Sequence, residues 1–256
     1  MKLIDILKAS TLWTGFAAAV LLQFAAAAQA ADAPRYAVLS LIGDRLLLVQ
    51  RLPATETQPE RNLIEFLDLD AKVFDQTAVL AVNGALKRAN PSAQPILLEA
   101  RDASLYSAQA ALLEHGGFEP LRKLLAGTKA THLILITRLR YEAMLQTESG
   151  HLGSGPLEGL GFYLDRTKQL VRSDTGQNAV GFLGPFTYFQ VSLYDLARRQ
   201  VVKQEQVVAS RTLSAARSPE GDPWTALSAE DKVRVLQQML RGEIARVVPP
   251  LVRSAF

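Results

Sequence analysis

The sequence predicts an α/β fold of the α+β kind: a single mixed β-sheet with helices packed on it. A long glycine- and aromatic-rich insertion is expected before a C-terminal hairpin and helix. Three observations lead there. In the first half, segments with helical apolar spacing alternate with short apolar runs, the order of βαβ connections. Leu133-Ile134-Leu135-Ile136 is apolar on both faces, as a strand central in a sheet must be. In the second half, two long runs flank Ala197-Arg198-Arg199-Gln200, as in an antiparallel hairpin.

Each element has its own warrant. Residues 35–51 hold two apolar runs split by Gly43-Asp44, hence strand, turn and strand. Pro53 to Asn62 is polar with two prolines and reads as a loop. A helix is expected over 71–89, with Asp70 as N-cap, because Phe74, Ala78, Ala81, Val82, Ala85 and Ala89 recur at helical spacing before Asn90-Pro91. Ile96-Leu97-Leu98 reads as a short buried strand. Ser104 or Ser107 opens the next helix, which stops at Gly116-Gly117, and a further helical turn or two runs from Glu119 to Ala126, stopping at Gly127. Thr131 to Leu145 is the clearest strand, solvated on one face beyond Thr137.

Residues 147–185 are expected to be irregular, with one short strand at Leu160–Leu164. Phe186–Leu196 and Val201–Thr212 form the hairpin, and 214–227 is loop. The last helix starts at Ser228, which makes a capping-box-like pair with Asp231. Its stripe is Val233, Leu236, Leu240, Ile244 and Val247, and Pro249-Pro250 ends it.

The first 30 residues read as a signal peptide. Lys2 and Lys8 precede an apolar stretch from Leu12 to Ala27, and Ala28-Gln29-Ala30 supplies the small residues that signal peptidase requires. Cleavage after Ala30 leaves residues 31–256 as one mixed α/β domain, periplasmic or secreted. The alternative is an inner-membrane anchor formed by a retained 12–30, although Thr14, Gly15 and Gln23 interrupt the run.

Composition excludes several chemistries. The 256 residues carry 28 Lys and Arg against 25 Asp and Glu, a net charge of +3 and no footprint for nucleic acid. With no cysteine there is no disulfide, thiol nucleophile, Cys-ligated metal or lipid-anchoring lipobox. The three histidines, His115, His132 and His151, are not spaced as ligands, and His115 reads as a helix cap. Ser154 lacks the nucleophile elbow G-x-S-x-G, and Asp174-Thr175-Gly176 has no second copy to share a proton with. Gly153, Gly155 and Gly159 lack the spacing and helix of a dinucleotide site, Gly127-Thr128-Lys129 is no P-loop, and Asp68, Asp70 and Asp75 lack the rest of a calcium loop. No catalytic residue, metal or cofactor is expected.

What stands out is aromatic. Six of the 16 Phe and Tyr fall between Phe162 and Phe189. Two readings apply: they cover one face of the sheet, or Phe162, Tyr163, Phe182, Phe186 and Tyr188 form a surface that docks a partner.

The hairpin Phe189-Gln190-Val191-Ser192-Leu193-Tyr194-Asp195, turning through Ala197-Arg198-Arg199-Gln200 into Val201-Val202, resembles a pattern of bacterial envelope proteins. It is similar to the curli-secretion-channel and penicillin-binding-protein-activator superfamily. The resemblance implies a mixed α/β domain that acts by binding or assembly. The pattern's usual Thr-Gly turn is here Arg198-Arg199, and the N-terminal Cys of its lipoproteins is absent. The expected function is therefore a non-catalytic envelope module that binds another envelope protein. The alternative is an exported hydrolase or small-ligand binder whose site gathers distant groups such as His132, Glu142, His151 and Asp165.

Overall fold

The computed structural model describes residues 34–43, 45–53, 61–69, 72–114, 118–147, 150–171, 176, 178–218 and 220–253. Strands β1 (Tyr36–Ser40), β2 (Arg45–Leu52) and β3 (Arg61–Asp68) precede helix α1 (Val73–Ala89) and the short β4 (Ile96–Leu97). Helices α2 (Ser104–Ala108) and α3 (Glu119–Leu125) lead to β5 (His132–Arg138), β6 (Arg140–Glu142), β7 (Leu145–Thr147) and β8 (Gly150–Leu152). Then come β9 (Pro156–Val171), β10 (Asn178–Asp195), β11 (Gln200–Ser210), β12 (Leu213–Ser214) and α4 (Ala229–Arg253). The expected fold class holds: one curled, mixed sheet carries the helices.

The sheet forks on β10. One edge of β10 pairs with β11 and β12. Its other edge pairs with β9 as far as Tyr188↔Gly159 and with β5 from Phe189↔Arg138 onward. Two arms therefore leave the same strand, β9-β2-β3 and β5-β1-β4. β1 lies parallel to β5 and β4, and β2 lies parallel to β9, while the remaining pairs are antiparallel. At the fork Gly159 has φ +71°, and a Cβ there would sit 2.9 Å from Arg138 Cδ, so only glycine fits this backbone.

Strand alternation divides the core between the two faces of the sheet. Towards α1 and α4 point Tyr36 and Val38 of β1, Ile134 and Ile136 of β5, and Phe162 and Leu164 of β9, all buried. On the opposite face, Ala37, Leu39, Leu133 and Leu135 pack under α2 and α3. On that same face of the other arm, Leu47, Val49, Tyr163, Phe182, Phe186 and Tyr188 pack beneath Leu145 and Leu152 of β7 and β8.

Several expectations need correction. Residues 147–185 do not form an irregular insertion. Among the described residues they hold β8, β9 and the first part of β10, and Gly161 and Gly181 there serve close backbone approach. A Cβ on Gly161 would lie 1.9 Å from the Leu47 carbonyl oxygen of the neighbouring strand. The docking surface expected of Phe162, Tyr163, Phe182, Phe186 and Tyr188 does not exist, because each is 1% exposed or less. Phe162 also faces the helices, whereas the other four face away from them, so the five share no single face.

Pro249-Pro250 does not end the last helix, which runs on to Arg253. Leu251 and Val252 are buried against the sheet, and that burial outweighs the missing N–H groups of two prolines. The strand at Ile96-Leu97 lies at the sheet edge with Leu97 exposed, so it is not the buried strand its composition suggested. The loop expected to run from Pro53 to Asn62 ends earlier, since β3 opens at Arg61.

Other expectations stand. Asn90 closes α1 by donating its N–H to Leu86 O, and Gly127 ends the helical turn at φ +79°. Ser228 accepts from Asp231 N at 3.1 Å and donates to the Asp231 carboxylate at 2.9 Å. The signal segment and the capping roles of Asp70 and His115 lie outside the described residues.

Candidate functional site

β3 has the sequence Arg61-Asn62-Leu63-Ile64-Glu65-Phe66-Leu67-Asp68 and pairs with β2 alone, ending one arm of the sheet. Cross-strand register sets its faces, since residues opposite one another project to the same side. Leu63, Glu65 and Leu67 lie opposite Gln50, Leu48 and Leu46, on the helix-covered face. Ile64 and Phe66 lie opposite Val49 and Leu47, on the other. Both faces of β3 reach past their covers. Leu63 is 45% exposed, Ile64 47%, Phe66 54% and Leu67 37%.

These four stand in one strand, whereas the other exposed large apolar residues among the described ones, Leu80, Leu97, Tyr141 and Val180, sit singly on separate elements. The charges of β3 are placed at intervals, with Arg61 first, Glu65 near the middle and Asp68 last. Gln50 Nε2 donates to Glu65 at 3.4 Å, and the Arg45 guanidinium lies 4.2 Å over the Phe66 ring.

Composition alone conceals this strand. Four apolar residues on both faces resemble a central strand, as at Leu133–Ile136, and only the tertiary pairing shows that nothing described here lies beyond it. The usable signal is the contrast with a polar, proline-bearing approach, which marks an edge.

The buried aromatics have a different task. The Tyr188 hydroxyl accepts from Met144 N at 2.8 Å, and the Tyr163 hydroxyl accepts from Ser154 N at 3.3 Å. The phenols thus fasten the segment around β7 and β8 over their own core. Burial pushes the Tyr188 phenol up, so it remains a neutral acceptor.

Asp75, in the first turn of α1, is a buried carboxylate with several partners. Its carboxylate accepts from Ser40 Oγ and Tyr106 Oη, both at 2.6 Å, and from the N–H groups of Ile42 at 3.0 Å and Gly43 at 3.3 Å. Burial raises its pKa, and the four hydrogen bonds work against that rise. Oδ1 takes three of these bonds, and Oδ2 takes the one from Tyr106. Asp75 is a cross-link between α1, the end of β1 and α2.

The four groups suggested for a gathered site are dispersed. His132 opens β5 and bonds Thr131 Oγ1 at 3.0 Å. Glu142 ends β6. His151 in β8 lines a groove of about 550 Å³ with Tyr141, Glu243 and Arg246, where Arg246 is already paired with Glu243 at 2.7 Å. Asp165 is buried in β9, ion-paired with Arg51 at 3.3 Å and bonded by Thr167 and Lys168 N–H groups. No hydrogen bond or ion pair joins any two of these four among the described residues, nor do three His, Asp or Glu side chains converge as metal ligands there.

No protein-family model matches the chain, and no curated protein does. Among solved structures it is similar to the DUF330 protein XCC0632 from Xanthomonas campestris, at 7% identity and a TM-score of 0.35, over 87% of this chain and 85% of that one. It is also similar to the hypothetical protein CT253 from Chlamydia trachomatis, at 13% identity and a TM-score of 0.33, over 86% and 98%. At such scores the likeness bears on neither kinship nor function.

Proposed function

We propose that the protein is a non-catalytic binding and assembly module of the bacterial cell envelope, and that β3 is its interaction edge. One observation carries this reading: four exposed apolar side chains on a strand that, among the described residues, forms an open edge of the sheet. An uncovered edge offers a row of free N–H and C=O groups, and natural proteins blunt such edges with lysine, proline or bulges. β3 has none of these between Asn62 and Asp68, and its pairing with β2 runs without a register shift. Strand addition supplies what the edge lacks: main-chain hydrogen bonds give affinity, and alternate side chains give specificity.

Location in the envelope rests on the first 30 residues, with their basic start, apolar stretch and Ala28-Gln29-Ala30. The resemblance of the β10–β11 hairpin to envelope assembly proteins points the same way. The test has two parts. Full-length protein made in a bacterial host should yield a mature mass beginning at Ala31. Cross-linking in that envelope should capture protein through β3, and the pair Ile64→Lys and Phe66→Lys should abolish capture with circular dichroism unchanged. Capture that survives the substitutions overturns the edge, and an uncleaved cytoplasmic product overturns export.

A further inference from the structure

We infer that the occupant of the β3 edge is the β3 strand of a second copy of this chain, paired antiparallel about a two-fold axis at Ile64. The inference rests on the reading of β3 as the interaction edge and names its partner. Two identical antiparallel strands are related by an axis perpendicular to the sheet. One residue must then face its own equivalent, and the rest pair symmetrically around it on a shared face.

With Ile64 on the axis, Leu63 faces Glu65, Asn62 faces Phe66 and Arg61 faces Leu67 of the second copy. Every residue from 61 to 67 is then paired, and all four exposed apolar side chains acquire neighbours. On one face, Ile64 and Phe66 of both copies meet as an apolar cluster that continues the Leu47 and Val49 core across β2. On the other face, Arg61 is the diagonal neighbour of Glu65 of the second copy, within reach of long side chains. Symmetry makes that ion pair twice, and the aliphatic stem of Arg61 covers Leu67.

The strand is thus complementary in charge to itself when reversed. Competing registers are poorer. An axis at Glu65 sets two carboxylates directly opposite one another. An axis at Leu63 pairs only residues 61–65 among the described ones and leaves Phe66 and Leu67 outside.

The test is the oligomeric state of protein purified from its full-length sequence, measured by sedimentation over a concentration series. A dimer is expected. Arg61→Glu or Glu65→Arg alone should weaken it about tenfold by setting like charges on the diagonals, and the two together should restore it. Because the chain has no cysteine, Ile64→Cys adds a sole thiol pair at the axis, at a separation that a disulfide spans. Oxidation should link that variant into a covalent dimer, whereas Leu80→Cys, exposed on α1, should stay unlinked. A monomer throughout the series, or a dimer insensitive to the charge variants and unlinked at residue 64, overturns self-pairing. If the chain is monomeric but the Ile64→Lys and Phe66→Lys protein loses capture of another envelope protein, self-pairing falls and the interaction edge stands. If those lysines change neither property, both fall.

Discussion

The Ser40 hydroxyl donates to the buried Asp75 carboxylate at 2.6 Å, joining the last residue of β1 to the first turn of α1. Tyr106 of α2 completes the junction from the other side at the same distance. Two helices and a central strand therefore meet at one acidic group. Asp75→Ala removes the acceptor that Ser40, Tyr106 and two backbone amides share, at a cost of about 3 kcal/mol. Urea unfolding of the variant should show a lower midpoint with an unchanged slope.

The same carboxylate sets a pH dependence. Burial raises its pKa in the fold, so between the ordinary aspartate value and the raised one the folded chain holds the proton that the unfolded chain has lost. Its contribution to stability falls as pH rises through that window and is level above it. Asp75→Asn removes the titration. The difference in unfolding free energy between wild type and Asp75→Asn, followed from strong acid to neutrality, should change in that window in the sense that wild type loses ground.

His132 slopes the opposite way. Desolvation lowers its pKa against a smaller opposing pull from Asp195. As pH falls through the ordinary histidine value the unfolded chain takes up a proton first, so the stability due to the neutral imidazole is lost below that value. In His132→Gln that acid-side loss should be absent, and a proton NMR titration of the wild-type ring should place its midpoint below that of a free histidine.

The tyrosine clamps separate local from global stability. Tyr188→Phe keeps the ring in the core and removes only the acceptor of Met144 N–H, for about 1 kcal/mol. Hydrogen exchange at the Met144 amide should accelerate while the rest of the sheet is unchanged. Phe162→Ala, a large cavity beside Trp224 at 5.9 Å, should cost about 4 kcal/mol and lower the whole transition.

Gly161→Ala is the severest small change expected. The added methyl would lie 1.9 Å from Leu47 O, so β2 and β9 must part at the Leu47↔Gly161 pair. Overpacking of this kind costs about 3 kcal/mol, read as a drop in thermal midpoint. Gly242→Ala in α4, where nothing stands within 4 Å, should instead be neutral or stabilising.

Residue spacing made much of the scaffold legible before any coordinates. Leu133–Ile136 read as a central strand because no polar residue interrupts either face, and β5 is indeed enclosed by β1 and β10. The turn after Asp195 was equally clear. Its carboxylate accepts from Ala197 N and Arg198 N, and Arg199 takes the positive φ that the hairpin needs. Of the 156–171 stretch only Leu160–Leu164 was legible as a strand, because glycine weakens the local strand signal while serving a contact with a distant strand.

The sequence by itself determined which segments form strands and helices in most of the chain, and it determined the class of fold. Those properties depend on periodicity and on caps within a few residues. Only the tertiary structure decided that the aromatic segment is core and that Leu63, Ile64, Phe66 and Leu67 are exposed. Both sets are apolar runs, and what separates them is whether a neighbouring strand lies beyond. That neighbour is placed by pairings such as Val49↔Tyr163 between residues more than a hundred positions apart, a distance over which local pattern carries no information.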